Sequence, residues 1–161
     1  MTLIRSSTYY VEPGYVYFSR RATLLRAVVG SCVAVCLWDE RKRVGGMNHF
    51  LMPAVSDREN ATPRFGNVAV AALVKIMEEA GSRRSDLVAQ ILGGGAPAGA
   101  AHPSLGERNV RAARDALTRK GIRIISEDIG GTVGRKIVFD TSNGELAVLK
   151  VHQIRESDWY A

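Results

Sequence analysis

Along residues 15–29, YVYFSRRATLLRAVV, apolar and polar positions first alternate and then merge into an apolar run. Alternation puts successive side chains on opposite faces of a strand, so one or two strands are expected before Gly30. Val33 to Trp38 is short, apolar and valine-rich, and predicts a strand. The polar segment DERKR, residues 39–43, predicts a turn, and VGGMNHFLMP returns as a strand ending at Pro53. Residues 56–64 read as a polar loop. From Asn67 to Ala80 the period changes: Ala69, Ala72, Leu73, Ile76, Met77 and Ala80 follow the spacing of an amphipathic helix, with Gly81 as its stop signal. DLVAQILGGG predicts a strand running into a glycine-rich loop. GERNVRAARDALTRKG predicts a second helix, with Val110, Ala113 and Leu117 on its inner face. IRIISEDIGG adds a strand, and RKIVFDTSNGELAVLKV a hairpin turning at Asn143-Gly144. The order strands, helix, strand, helix, strands predicts an α/β (α+β) sandwich. It is read as a mixed β-sheet core with helices packed against it, one domain over residues 1–161.

Composition narrows the class. Hydrophobic residues make up 46% and charged residues 24%, enough apolar material for a core and too little charge for wholesale disorder. No apolar run approaches the roughly 18 residues of a membrane helix, so no membrane insertion is expected. The start, MTLIRSSTYYVEPG, lacks the basic end and long apolar core of a secretory signal. With only two cysteines, the chain reads as a soluble cytoplasmic protein of a reducing compartment. The net charge of +6 admits nucleic acid, an acidic membrane surface or an acidic protein as partner. The basic residues are scattered, however, with no dense tract and no interleaved aromatics. A solvated surface with a basic bias is therefore preferred to a nucleic-acid site.

The densest chemistry lies in VVGSCVAVCLWDERKRVGGMNHF, residues 28–50. On a strand, Cys32 and Cys36 face the same side about 13 Å apart, whereas a disulfide needs Cα atoms within about 7 Å. Zinc needs four ligands, and Cys32, Cys36, His49, His102 and His152 show no paired motif spacing. Cys32 with His49 is a candidate nucleophile and base. A hairpin turning between Glu40 and Arg41 would place His49 directly opposite Cys32, with Cβ atoms about 5 Å apart. A one-residue slip would put the two on opposite faces. Gly30, Gly45 and Gly46 leave room around the pair, and the N–H groups of Gly30-Ser31-Cys32 are candidate oxyanion donors. The competing reading is a buried cysteine and a structural histidine. Cys36, deeper in the apolar run, reads as core.

Other motifs carry less. ILGGGAPAGA lacks the Lys-Ser/Thr ending of a phosphate loop and the spacing of a dinucleotide fingerprint. It reads as a tight turn with close backbone packing, or as the rim of a groove. His102 reads as a loop histidine and His152 as structural or exposed. Glu127 and Asp128 read as the solvated end of a strand.

GSCVAVCLWD followed by GGMNHFLMP resembles the signature of CheD, the chemoreceptor glutamine deamidases of bacterial and archaeal chemotaxis. The resemblance extends through ILGGGA, LGERNVRAARDALTRKGIRIISEDIGG and GRKIVFDTSNGELAVLKV, and so covers most of the chain. It implies an α/β sandwich with a cysteine-based amidohydrolase site, Cys32 as nucleophile and His49 as acid/base, with backbone support at Ser31. It implies hydrolysis of receptor glutamine side chains to glutamate with release of ammonia, and no metal or organic cofactor. The implied partners are the cytoplasmic helical region of chemoreceptors and a CheC-type phosphatase. The family usually carries a threonine five or six residues before the cysteine, where this chain has Ala27 and Arg26. Asn48 or a backbone carbonyl is then expected to orient His49. That departure keeps open a catalytically weak or inactive regulator that binds receptors or the phosphatase. A nucleic-acid binder and another cysteine–histidine hydrolase are the remaining alternatives.

Overall fold

The computed structural model describes residues 7–152. Residues 1–6, the first part of the start MTLIRSSTYYVEPG considered above, and residues 153–161 lie outside them. In chain order the elements are β1 (Ser7–Tyr10), β2 (Val16–Ser19), β3 (Thr23–Val29), β4 (Val33–Asp39), β5 (Val44–Phe50), α1 (Gly66–Glu79), β6 (Leu87–Gly93), α2 (Leu105–Arg119), β7 (Arg123–Ile129), β8 (Gly134–Asp140) and β9 (Glu145–Val151). They form two mixed sheets, ordered β1-β3-β8-β9 and β2-β5-β4-β6-β7. The α+β sandwich expected from the pattern is present, but with two sheets. Alternation identifies strands and not their partners, so the division into sheets was not visible in the sequence.

Three layers follow from the packing: helices, the five-stranded sheet, then the four-stranded sheet. Strand β4 is apolar along its length because both of its faces are covered. Val33, Val35 and Leu37 pack with Leu73 and Met77 of α1 and with Val110 and Leu117 of α2. Ala34 and Cys36 face the other way, against Leu25, Ala27, Ile137 and Phe139 of the four-stranded sheet. Truncating a fully buried side chain such as Leu73 or Phe139 to alanine should cost about 3 kcal/mol. Helix α2 begins at Ser104, whose side chain accepts a hydrogen bond from the Glu107 amide, an N-terminal cap written in the sequence as Ser-x-x-Glu.

Several elements differ from the sequence reading. Strand β1 was not anticipated: its residues are mostly exposed, and it pairs in parallel with β3, so it carries no buried stripe. Strand β5 ends at Phe50, short of Pro53. The last hairpin keeps Asn143-Gly144 in its turn, but Asp140 pairs with Glu145, so the turn spans residues 141–144. Glu127 and Asp128 are tied down: the Glu127 carboxylate accepts from Arg114 Nε at 2.8 Å, and Asp128 from the buried Arg135 Nε at 3.1 Å. Among the described residues, no helix is long and apolar enough to cross a membrane.

Between β3 and β4 the chain passes from one sheet to the other. The crossover is only Gly30-Ser31-Cys32. It has no ladder of its own to satisfy its backbone groups, so other parts of the fold must hold it.

Candidate functional site

The register of β4 against β5 decides how Cys32 stands to His49. Observed pairs include Ala34 with His49 and Asp39 with Val44. The turn is thus centred one residue later than expected, and Cys32 is not directly opposite His49. The cause is Asp39, which stays in the strand. Its Oδ1 accepts from the Arg41 and Lys42 amides at 2.9 and 2.8 Å, and its carbonyl accepts from the Arg43 amide at 2.8 Å. Arg43 closes the turn with φ 58°, a left-handed conformation that glycine or asparagine usually supplies. The pairing has moved by two residues, so the faces are unchanged. Cys32 packs against the inter-sheet cluster, on the face to which β5 also turns His49. It lies two residues before the position opposite His49, a diagonal neighbour in the crossover.

His49 is fully buried and is laced in by the segment that follows β1. The Gly14 amide donates to the His49 carbonyl at 2.7 Å, and the His49 amide donates to the Tyr15 carbonyl at 3.1 Å. The ring Nδ1 lies 2.9 Å from the Val11 carbonyl. A carbonyl only accepts, so Nδ1 carries the proton and Nε2 of the neutral ring keeps its lone pair. Nε2 is buried and has no hydrogen-bond partner among the described residues. Burial holds the imidazole pKa below its usual value, and the Val11 contact only partly opposes this. His49 is therefore neutral at pH 7, with its basic nitrogen free.

Asn48 does not orient the ring. Neighbouring strand residues face opposite ways, and Asn48 pairs with Val35 on the helix-covered face, where its Oδ1 accepts from the Val35 amide at 2.9 Å. The orienting group is the Val11 carbonyl. The Val11 amide in turn donates to the Arg26 carbonyl at 2.7 Å. At one of the two positions where a threonine was expected, the chain thus contributes backbone to the support of His49. Ala27, the other position, packs in the inter-sheet cluster.

Cys32 and Cys36 are both free thiols. Cys32 is half-buried; burial pushes its thiol up, while its own backbone amide favours the thiolate. Cys36 is fully buried and its thiol is held far above the usual range. At rest the cysteine and histidine are thus a neutral pair rather than a preformed ion pair.

The glycine-rich stretch and α2 clamp the crossover. The Gly95 amide donates to the Gly30 carbonyl, and the Gly94 amide to the Cys32 carbonyl, each at 2.9 Å. Asn109 of α2 donates from Nδ2 to the Ser31 carbonyl at 2.9 Å and to the Leu51 carbonyl at 3.0 Å. Gly93, at φ 109°, has no room for a side chain: a Cβ there would lie 2.3 Å from the Cys32 carbonyl oxygen. The close-packing reading of ILGGGA therefore holds. Gly95 also lines a groove of about 460 Å³ with Gly30, Ser31, Pro97, Thr132 and His152. His102 is exposed and contacts the Glu107 carboxylate through Nδ1. Among the described residues, no three His, Cys, Asp or Glu side chains converge to hold a metal ion.

Sequence reasoning missed Val11 and Asn109. Val11 acts through its carbonyl, which any residue would supply. Asn109 had a signal: it lies four residues before Ala113 and eight before Leu117, so it is a polar residue on the apolar face of a helix.

The family model for CheD, described as chemotactic sensory transduction, matches residues 51–150. That segment begins after His49, so the cysteine–histidine pair lies outside it. Full-length comparison extends further. A protein of Sulfurimonas denitrificans called "probable chemoreceptor glutamine deamidase CheD" is 35% identical over 147 residues, spanning 89% of this chain and 94% of its own. A protein of Trichlorobacter lovleyi with the same description is 40% identical, spanning 84% of this chain and 86% of its own. One of Anaeromyxobacter dehalogenans, "probable chemoreceptor glutamine deamidase CheD 1", is 43% identical, spanning 84% of this chain and 80% of its own.

Proposed function

This chain belongs to the CheD family, and from that premise we propose that it is a chemoreceptor glutamine deamidase with Cys32 as nucleophile and His49 as acid/base. The observation that carries the mechanism is the state of His49. Its Nδ1 proton is committed to the Val11 carbonyl, while Nε2 is left buried and unpartnered on the face that Cys32 shares.

The neutral resting pair sets the order of events. As a glutamine side chain enters, Nε2 takes the thiol proton while sulfur attacks the carboxamide carbon. The backbone amides at Ser31-Cys32 hold the oxygen that gains the charge. The imidazolium then protonates the departing nitrogen, ammonia leaves, and a thioester remains on Cys32. Water gives a proton to Nε2, attacks the thioester and releases glutamate, returning the proton to sulfur. The substrate is a glutamine on the cytoplasmic helical region of a chemoreceptor, which places the protein in the cytoplasm. The groove beside Ser31 offers a surface for such a helix, and the +6 charge favours an acidic one.

The direct test is ammonia release and a one-dalton mass gain on a receptor cytoplasmic fragment. Both should vanish in Cys32→Ala, and a fully active Cys32→Ala protein would refute the mechanism. A second reading is a weak or inactive regulator that binds receptors or a CheC-type phosphatase. Its support is the side chains at Arg26 and Ala27, neither of which supplies a threonine hydroxyl. Tight receptor binding without ammonia release would favour it.

A further inference from the structure

Asn109 is wholly buried on a helix otherwise rich in exposed charge, and both protons of its amide are spent on carbonyls of other segments. Both partners accept only, so the NH₂ group must face them and the assignment of nitrogen and oxygen is fixed by chemistry. Its Oδ1 is buried without a partner among the described residues. An apolar residue of similar size would fill the space without that desolvated acceptor, so packing alone does not account for the amide.

What the amide does follows from peptide geometry. In a trans peptide the C=O and the next N–H share one plane and point in opposite directions. The Ser31 carbonyl and the Cys32 amide belong to one such unit. Holding the Ser31 carbonyl toward α2 turns the Cys32 amide away from α2, toward its own sulfur. The neighbouring peptides are held likewise, through Gly30 by Gly95 and through Cys32 by Gly94. Those two anchors are backbone groups; the middle one depends on a single side chain. The second Asn109 bond, to Leu51, ties the same helix to the segment just beyond the strand that carries His49. Gly106, one turn earlier, lets α2 approach closely, because a Cβ there would lie 2.3 Å from the Gly94 carbonyl oxygen.

We propose that Asn109 is a positioning residue that aims the Cys32 backbone amide at the oxyanion of acyl transfer. The proposal takes from the deamidase reading only that Cys32 attacks acyl carbons.

The test compares two reactions of one thiol. Acetylation of Cys32 by p-nitrophenyl acetate passes through a tetrahedral oxyanion and expels p-nitrophenolate. Alkylation of Cys32 by iodoacetamide displaces iodide at a saturated carbon and forms no oxyanion. Both rates are measured for the parent, Asn109→Leu and the smaller Asn109→Ala, with Cys32→Ala subtracted as background. The ratio of acetylation to alkylation should fall about 30-fold in a folded Asn109 variant, with alkylation within about threefold of the parent. A ratio within about threefold of the parent overturns the proposal. So does a parallel fall of both rates, which would mean that Asn109 supports the thiol or the fold in general. Glutamine deamidation is scored separately by ammonia release from the parent and Cys32→Ala. A protein without that activity would still report the ratio, so the two ideas fail independently.

Discussion

Cys32 and Cys36 are four residues apart and turn toward the same inter-sheet cluster, yet they occupy different chemical worlds. Cys36 is in the middle of β4, with strands on either side and a second sheet above it. Its backbone is satisfied by the ladder, and burial suppresses its ionisation. Cys32 sits where the ladder stops. The crossover that carries it is held by three outside groups, one on each carbonyl of Gly30, Ser31 and Cys32; its thiol is half-buried, and its amide lies against its sulfur. Under the proposed mechanism, reactivity would come from the end of the strand rather than from the residue type. A sheet interior spends its backbone N–H groups on neighbouring strands, while a crossover held by its carbonyls leaves N–H groups to serve a substrate.

The sharpest way to break the contrast is to remove each sulfur in turn. Cys32→Ala should lower the deamidation rate at least about 10⁴-fold with little loss of stability. Cys36→Ala should leave the rate within about twofold and cost about 1–2 kcal/mol in denaturant unfolding. Next in size, His49→Gln should lower kcat by roughly 10²–10⁴ without a matching loss of receptor binding. Gly93→Ala should disturb the crossover and spare the middle of β4. It forces a side chain at φ 109° onto the Cys32 carbonyl, and should cost about 2–3 kcal/mol with a larger loss of kcat than Cys36→Ala.

The smallest effects are in pH. Since the His49 pKa is lowered in the folded protein, the unfolded chain binds more protons once the pH drops through about 6.5. Stability should therefore fall as pH falls through that point and on toward the folded pKa, and His49→Gln should remove this share of the loss. The acid limb of kcat/KM should likewise lie below about 6.5. Iodoacetamide modification of Cys32 should keep rising beyond about pH 8.5, because its thiol is raised. Cys36 should stay unmodified until the protein unfolds.

The sequence carried most of the elements and brought Cys32 and His49 to one face, but not their spacing. Strand β4 is a short valine-rich apolar run, and both helices and the last hairpin have clear periodicity and stops, so they were legible. The β4–β5 register was not, because Asp39 and Arg43 close the turn without a glycine or asparagine to mark it. The wrong register still put Cys32 and His49 on one face, since an error of two residues preserves strand parity. Support for the pair was the least legible part. Val11 works through a carbonyl, and the strand it follows pairs in parallel with a segment that begins thirteen residues beyond Tyr10. Asn48 looked suitable by adjacency alone, and strand alternation sends it to the opposite face.

One consequence of β1 concerns control at a distance. The Val11 carbonyl that fixes the His49 tautomer is the first residue past an exposed edge strand of only four residues, Ser7–Tyr10. Edge strands fray more readily than strands paired on both sides. A protease nick or an antibody fragment that peels β1 from β3 would let the imidazole rotate and exchange tautomers. Under the proposed mechanism, deamidation would stop with Cys32 and His49 both chemically intact.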